Sequence, residues 1–495
     1  MTLRTPTTGP LRVLLPFLLM VAALVATHAQ GPDPLDGQRY YPERVAADLE
    51  IWRTTLHEAH ADPYRYVTKA ALDRAIDEAI AGARVPLTAA EVAALVNPVL
   101  QLIGDAHTVV QLPPAVETAL RQRVPLLPLA VRAVGCDLFV EEELKGFRTI
   151  PSGSRILSIN GRSAASILDT LATLAIADGN DTLFRIRQVE RDLPYLLYRY
   201  LDRSRTFTIT FEPPGGRVRT ERVVGLTGEE VRAFVRSDEG PLLPWSATNH
   251  ADHHTTWLTL RHFHTDSLLQ AGIRPERLVE ELRRDLKRNR SRVLVIDVRG
   301  AAGGELALAE LVHSIYALKP YRVVQDMTVR VQAPPKHYGL CDDLSEFFAT
   351  LHATYLPGDH GRLHLRPDDP RLEQMEPRPN AFDGKVYVVC DALTREAAAA
   401  LVMMAGRAGR ASIVGEEVGT NSISSCGGRI LQLRAPNTGL LFRIPMIRYV
   451  YEGTPRGTPD QGERPDHAFA VDARALATGR DLLRDALMEM ILELQ

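Results

Sequence analysis

The sequence predicts an α/β fold, and three observations carry that expectation. Val293–Val298 is a nearly continuous apolar run, the pattern of a strand buried on both faces of a parallel sheet. Val386–Val389 is a second such run. Each leads into a stretch with helical spacing, Leu306–Leu318 and Thr394–Ala405. Strands that alternate with helices build parallel βα units.

The chain has 495 residues, which is long for one domain and leaves ample room for a core. It is 45% hydrophobic and 24% charged, with a formal net charge of −3, the composition of a globular protein. There is no basic excess to point to nucleic acid and no acidic tail. Arg4 and Arg12 precede an apolar run from Val13 to Ala26, followed by small residues before Gln30. That layout predicts a secretory signal peptide over 1–29 and an exported mature protein, secreted or periplasmic. An uncleaved N-terminal anchor is the alternative, and no other membrane contact is expected. Export permits disulfides among Cys136, Cys341, Cys390 and Cys426, but spacing does not select a pairing.

Residues 44–104 read as helical. Leu49, Trp52 and Leu56 fall at helical spacing, as do Leu72, Ile76 and Ile80. Thr88 opens a third helix, with Glu91 completing a capping box. This helix runs into Gly104-Asp-Ala-His-Thr108 and then a strand, Val109–Leu112. Short strands follow at Leu126–Val131, Leu138–Glu141 and Ile156–Ile159, the last closed by the turn pair Asn160-Gly161. A helix over Ala164–Ala175 and a strand over Thr206–Phe211 complete this section. The α/β pattern starts with the strand Thr255–Leu260, the amphipathic helix Pro275–Arg288 and the two buried strands, and continues with a strand at Ser412–Val414. The Pro- and Asp-rich stretch 320–380 is expected to be an excursion across the surface. The chain closes with an amphipathic helix over Leu482–Leu494.

Three segments gather chemistry. Gly104-Asp-Ala-His-Thr108 ends the helical region. Ile296-Asp-Val-Arg-Gly-Ala-Ala-Gly-Gly304 leaves one buried strand through a Gly-rich turn, and Cys390-Asp-Ala-Leu-Thr-Arg-Glu-Ala-Ala-Ala-Ala400 leaves the other and enters a helix. The last two lie at carboxyl ends of strands, where open α/β sheets bind ligands. In this order, with Ile156-Leu-Ser-Ile-Asn-Gly161, Thr256-Trp-Leu-Thr-Leu260, Ile413-Val-Gly-Glu416, Pro436-Asn-Thr-Gly-Leu440 and Arg464-Pro-Asp466, the chain resembles the tail-specific (C-terminal processing) proteases, peptidase family S41, whose fold is shared with the tricorn protease core.

The resemblance implies a ClpP/crotonase-like βα core over 251–495, an N-terminal helical region over 30–123 and a PDZ-like β-rich module with linker over 124–250. It also implies hydrolysis of peptide bonds in peptides or unfolded proteins, by a Ser at the start of a helix in a pattern like Thr-x-Ser-Ala-x-Glu. Here that pattern reads Thr394-Arg-Glu-Ala-Ala-Ala399, so Glu396 stands at the nucleophile position. The family's Ser–Lys type is excluded, because no lysine follows Lys385 and the matching position falls near Asn421. The His-assisted type keeps His107 as candidate base, with an ordinary pKa near 6.5 that suits the task. Gly303 and Gly304 are the candidate oxyanion-hole donors.

Other groups compete for roles. A carboxylate is a poor nucleophile toward an amide, so Glu396 is read first as an acid favoured by about 0.3–1 kcal/mol at a helix N-terminus. Ser422, Ser424 and Ser425 lie in a loop expected to line the site. His250, His253, His254, His262 and His264 lack the Cys or carboxylate pattern of a metal site and read as exposed or strand-edge residues, with His262 and His264 alternating on a strand. Asp297 and Arg299 read as an ion pair that shapes the Gly-rich turn. No cofactor and no metal are expected. The sequence thus favours a peptide-binding protein that has lost its nucleophile. The alternatives are an endopeptidase using His107 with another nucleophile and, from fold sharing alone, a lipid or retinoid binder.

Overall fold

The computed structural model describes residues 33–144, 149–231, 243–458 and 460–493. The apolar run Val13–Ala26 and the signal peptide expected over 1–29 lie outside the described residues. No described helix is long and apolar enough to cross a membrane.

The helical start forms as its spacing predicts, with helices Pro42–Ala59, Lys69–Gly82 and Ala89–Ile103. Thr88 and Glu91 make the reciprocal capping box, and Gly104 ends the third helix at φ 62°. Trp52 of the first helix stacks on Phe442, with ring centroids 5.0 Å apart, and locks this region onto the rest of the chain.

The α/β core is a six-stranded sheet whose strands lie side by side in chain order: Trp245–His250, Thr255–Leu260, Val293–Asp297, Lys385–Cys390, Ser412–Gly415 and His467–Ala468. The first pair is antiparallel, and all later pairs are parallel. Residue alternation explains the unbroken apolar runs. Leu294 and Ile296 join the core shared with helices Leu306–His313 and Ala397–Arg407. Val293 and Val295 face the other way, onto Leu483, Leu487 and Ile491 of the closing helix Leu482–Glu493. Helix Ala397–Arg407 begins three residues later than its spacing predicts, because the chain makes a sharp turn at Glu396.

A second sheet, with strands Tyr355–Pro357, Leu363–Leu365, Val324–Val329, Leu441–Tyr451 and Ser424–Arg434, also takes up the strand Val109–Gln111 after His107. It corrects the reading of 320–380 as a surface excursion. Val324, Met327, Val329, Leu351, Leu363 and Leu365 are buried. Their apolar positions are scattered among Pro and Asp residues of the turns, which hid the period.

A third sheet orders Leu129–Val134, Asp137–Glu143, Arg155–Ile159, Thr206–Glu212 and Arg219–Val224. It has its own core, from Leu127 to Val223. The Asn160-Gly161 turn has positive φ at both residues, 48° and 79°, as a two-residue hairpin turn requires. Helix Thr182–Tyr200 was not expected from the sequence. Its buried face mixes Val189, Leu193 and Leu197 with Arg187 and Glu190, which masks the apolar stripe. Arg187 bonds Glu190 and reaches Glu416 beyond the core sheet's strand Ser412–Gly415.

Candidate active site

The site is built where two core strands end. Beyond Cys390, the Asp391 carboxylate accepts the N–H groups of Gly300 (2.8 Å) and Leu393 (3.1 Å). Thr394 Oγ1 donates to Val298 O at 2.9 Å, and Arg395 N donates to Ala301 O at 2.9 Å. These bonds tie the Gly-rich turn to the entry of the next helix. Glu396 then adopts φ 55° and ψ −120°, a backbone conformation that L-residues rarely occupy. Its N–H is held by Thr420 Oγ1 at 2.8 Å. Such strain costs about 1–3 kcal/mol and persists only where the surroundings over-determine it. A strained strand-to-helix turn is how hydrolases lift a nucleophile above a sheet. The elbow is present here, and a glutamate stands on it.

His107 is delivered from the other side by the turn after the third helix. Asp105 organises that turn. One oxygen accepts the His107 backbone N–H at 3.2 Å, and the other accepts the Thr108 hydroxyl. His60 Nε2 lies 3.1 Å from the same Asp105 oxygen and 2.8 Å from Thr108 Oγ1. His60 Nδ1 accepts the Asp62 N–H at 2.9 Å, so Nε2 carries the proton toward them. His107 Nε2 reaches Glu396 Oε1 at 2.9 Å. Its Nδ1 faces Asp105 Oδ1 at 3.6 Å, which is ion-pair range but beyond a hydrogen bond.

These contacts set the charges. Burial disfavours imidazolium at His107, but the carboxylates of Asp105 and Glu396 outweigh it and push its pKa up to about 9. Burial likewise works against the Glu396 carboxylate, yet His107, Arg395 and His264 bring its pKa down to about 2. Asp105 is held well below the usual carboxylate range, against its burial, by His107 and His60. Asp178 is raised by burial and by the neighbouring Asp105. His107 and Glu396 are therefore an imidazolium–carboxylate pair at neutral pH. The ordinary pKa expected of a His107 base does not apply. Glu396 contributes no side-chain cap to its helix, so His107, rather than capping, engages its carboxylate.

Gly303, at φ 78°, lies beside Glu396, whereas Gly304, at φ 103°, packs against the backbone of Phe263. A Cβ on Gly303 would sit 3.6 Å from Glu396 Oε2 and 2.6 Å from His264 Nε2. The strand ends at Leu260, so His262 and His264 do not alternate on it; His264 is exposed, as expected, and its ring lies close to Gly303. Gly427 borders His107 from the strand Ser424–Arg434, which also holds Ser424 and Ser425, so these two serines are not in a loop as expected.

Among the described residues, none of the other candidate serines is paired with His107. Ser424 Oγ is held by Arg65, and Ser425 Oγ pairs with Tyr451 OH at 2.7 Å. Ser422 Oγ is buried without a partner. Asn421 receives Arg65 at 2.7 Å and donates to Tyr66 OH at 3.1 Å. Arg299 pairs with Asp297 at 2.6 Å and also with Asp481, as its reading as a structural ion pair requires. All four cysteines are unbridged, and burial pushes the Cys390 and Cys426 thiols up.

The structure thus brings together His107, Glu396 and Gly303, sets His264 of the histidine cluster beside Gly303, and adds His60, Asp105, Asp178 and Thr420. Asp105 carried a signal, since an Asp two residues before a His reads as a local turn that orients it. The others lie tens to hundreds of residues away in sequence and left none.

Residues 258–468 match the family model described as peptidase family S41. The fold is similar to the crystal structure of mature CPAF, with TM-score 0.66 and 15% identity over 92% of this chain and 98% of that one. It is also similar to mature CPAF complexed with lactacystin, with TM-score 0.63 and 14% identity over 92% and 99%. No curated protein sequence matches the chain. Residues 258–468 thus match peptidase family S41, and the fold over 92% of the chain is similar to that of mature CPAF.

Proposed function

We propose that this chain is an exported S41 protein that binds peptides or unfolded protein segments without hydrolysing them. The observation that carries this reading is the 2.9 Å pair between His107 Nε2 and Glu396 Oε1 on the strained elbow. Hydrolysis by this scaffold needs a nucleophile and a neutral base at that point. Glu396 is a weak base with a pKa near 2, and His107 stays protonated to about pH 9. Attack on an amide by the carboxylate would form a mixed anhydride and expel a poor amine leaving group, so the covalent route is closed as well.

Two features support a peptide ligand. Ser424–Arg434 ends its sheet, with Gly427 beside His107, so an extended segment could add along that edge next to the site. The sheet from Leu129 to Val224, with its own core, is read as the PDZ-like module that would take a chain terminus.

The test uses mature protein beginning after the N-terminal segment, an unstructured protein substrate, and the variants Glu396→Ser and His107→Ala. Native protein should bind the substrate saturably in fluorescence anisotropy and leave it intact. Cleavage by native protein that disappears in His107→Ala would overturn the reading. Cleavage gained in Glu396→Ser would show that the elbow is intact and that only the side chain is lacking.

A further inference from the structure

Asp105, His107 and Asp178 each bring one ligand atom to within 4.8 Å of the others. The histidine atom that faces the carboxylates is Nδ1, which is buried and makes no hydrogen bond. The ring as a whole is only 12% exposed. This buried nitrogen lies 3.6 Å from Asp105 Oδ1, beyond hydrogen-bond reach, and shares a cluster of ligand atoms with the buried Asp178 carboxylate. The two aspartates also border a cavity of about 10 Å³, room for one water or ion, together with Cys426 and Arg65.

The far side of the ring makes the second observation. His107 Nε2 is bonded to a carboxylate, that of Glu396. Histidines that hold metals commonly donate their other ring N–H to a carboxylate, which fixes the tautomer and raises the ligand's basicity. The carboxylates are supported in the same manner. Asp105 Oδ2 receives Thr108 and His60, and Asp178 Oδ1 accepts the Ala106 N–H at 2.9 Å.

We propose that Asp105, His107 and Asp178 bind one divalent transition-metal ion, with zinc the best match, and that Glu396 is the positioning carboxylate behind His107. Zinc bonds imidazole and carboxylate atoms at about 2.0–2.2 Å, which sets tetrahedral neighbours about 3.4 Å apart. The 3.6 Å between His107 Nδ1 and Asp105 Oδ1 needs little contraction. Water completes the coordination from the cavity. On this account a glutamate on the elbow orients a metal ligand, a task a serine there cannot perform as well.

The inference does not rest on peptide binding. Zinc is titrated into chelator-treated mature protein without peptide, and peptide is titrated separately in the presence of chelator. Calorimetry should find one equivalent of zinc and much weaker binding of magnesium, which disfavours an imidazole ligand. His107→Ala and Asp178→Asn should each abolish the site. Glu396→Gln should weaken zinc about 10–100-fold, the range for a lost orienting carboxylate. Circular dichroism checks that each variant folds. If a ligand variant does not fold, cobalt substitution of the native protein decides: visible bands of a low-coordinate nitrogen–oxygen site support the proposal. A purely octahedral aquo-like spectrum, absence of stoichiometric zinc, or zinc binding unchanged in folded Asp178→Asn overturns it.

Discussion

Glu396 Oε1 lies 2.9 Å from His107 Nε2, joining two residues 289 positions apart. The contact links the first turn of a core helix to the turn that follows the N-terminal helices. It sets an imidazolium–carboxylate pair at the strained turn, and the charge state of the cleft follows from that contact.

Stability should depend on pH through this pair. The His107 pKa is raised from 6.5 to about 9, so its contribution is fully present below pH 6.5 and is lost as pH rises through 9. The Glu396 pKa is lowered from 4.5 to about 2, so its contribution is present above pH 4.5 and is lost as pH falls through 2. The melting-temperature advantage of native protein over Glu396→Gln should therefore be greatest between pH 4.5 and 6.5 and shrink by pH 10. An advantage that is equal at pH 6 and pH 10 would refute the assignment.

The elbow backbone can be tested apart from the side chain. Glu396→Ala and Glu396→Gly both remove the carboxylate, but only glycine accepts φ 55° and ψ −120° without strain. Strain of about 1–3 kcal/mol is relieved, against about 0.5–1 kcal/mol of extra unfolded-state entropy. Urea unfolding should find the Gly variant more stable than the Ala variant by about 1 kcal/mol. The reverse order would mean that the elbow is relaxed.

The two glycines of the turn should differ. A Cβ on Gly304 would meet the backbone oxygen of Phe263 at 1.9 Å, and backbone cannot step aside. One on Gly303 meets the ring of His264 at 2.6 Å, and a side chain can turn away. Gly303→Ala should cost about 1–2 kcal/mol, chiefly for its positive φ. Gly304→Ala should cost clearly more. Equal losses in chemical denaturation would contradict this packing.

Asp105→Ala should be among the most damaging single changes in the site. It removes the acceptor for Thr108, for the His107 N–H and for the neighbouring His60. Breaking a buried charge pair from one side costs about 3–5 kcal/mol. The pKa of His107, followed by NMR, should fall in the same variant, because Asp105 is one of the two carboxylates that raise it. A His107 pKa unmoved by the change would show that Glu396 alone sets it.

The sequence by itself determined the α/β core, the helical start and the order of the motifs. It could do so because those features are written in local periods: buried strands at Val293 and Val386, a capping box at Thr88, and a hairpin turn at Asn160. It also placed Glu396 at the helix entry and His107 after the Asp105 turn. Helix Thr182–Tyr200 and the second sheet were illegible, because charged residues on a buried face and short strands among prolines erase the period.

The tertiary structure decided the state of the site. Whether His107 is a base or a cation depends on carboxylates that reach it from positions 105 and 396, and Asp178 joins them through the fold alone. His264 could be read from sequence only as one of a cluster, and its closeness to Gly303 is a product of the fold. Periodicity is a property of neighbours in the chain. Proton affinity is a property of neighbours in space, inside a low-dielectric cleft where a single added carboxylate changes which group is charged.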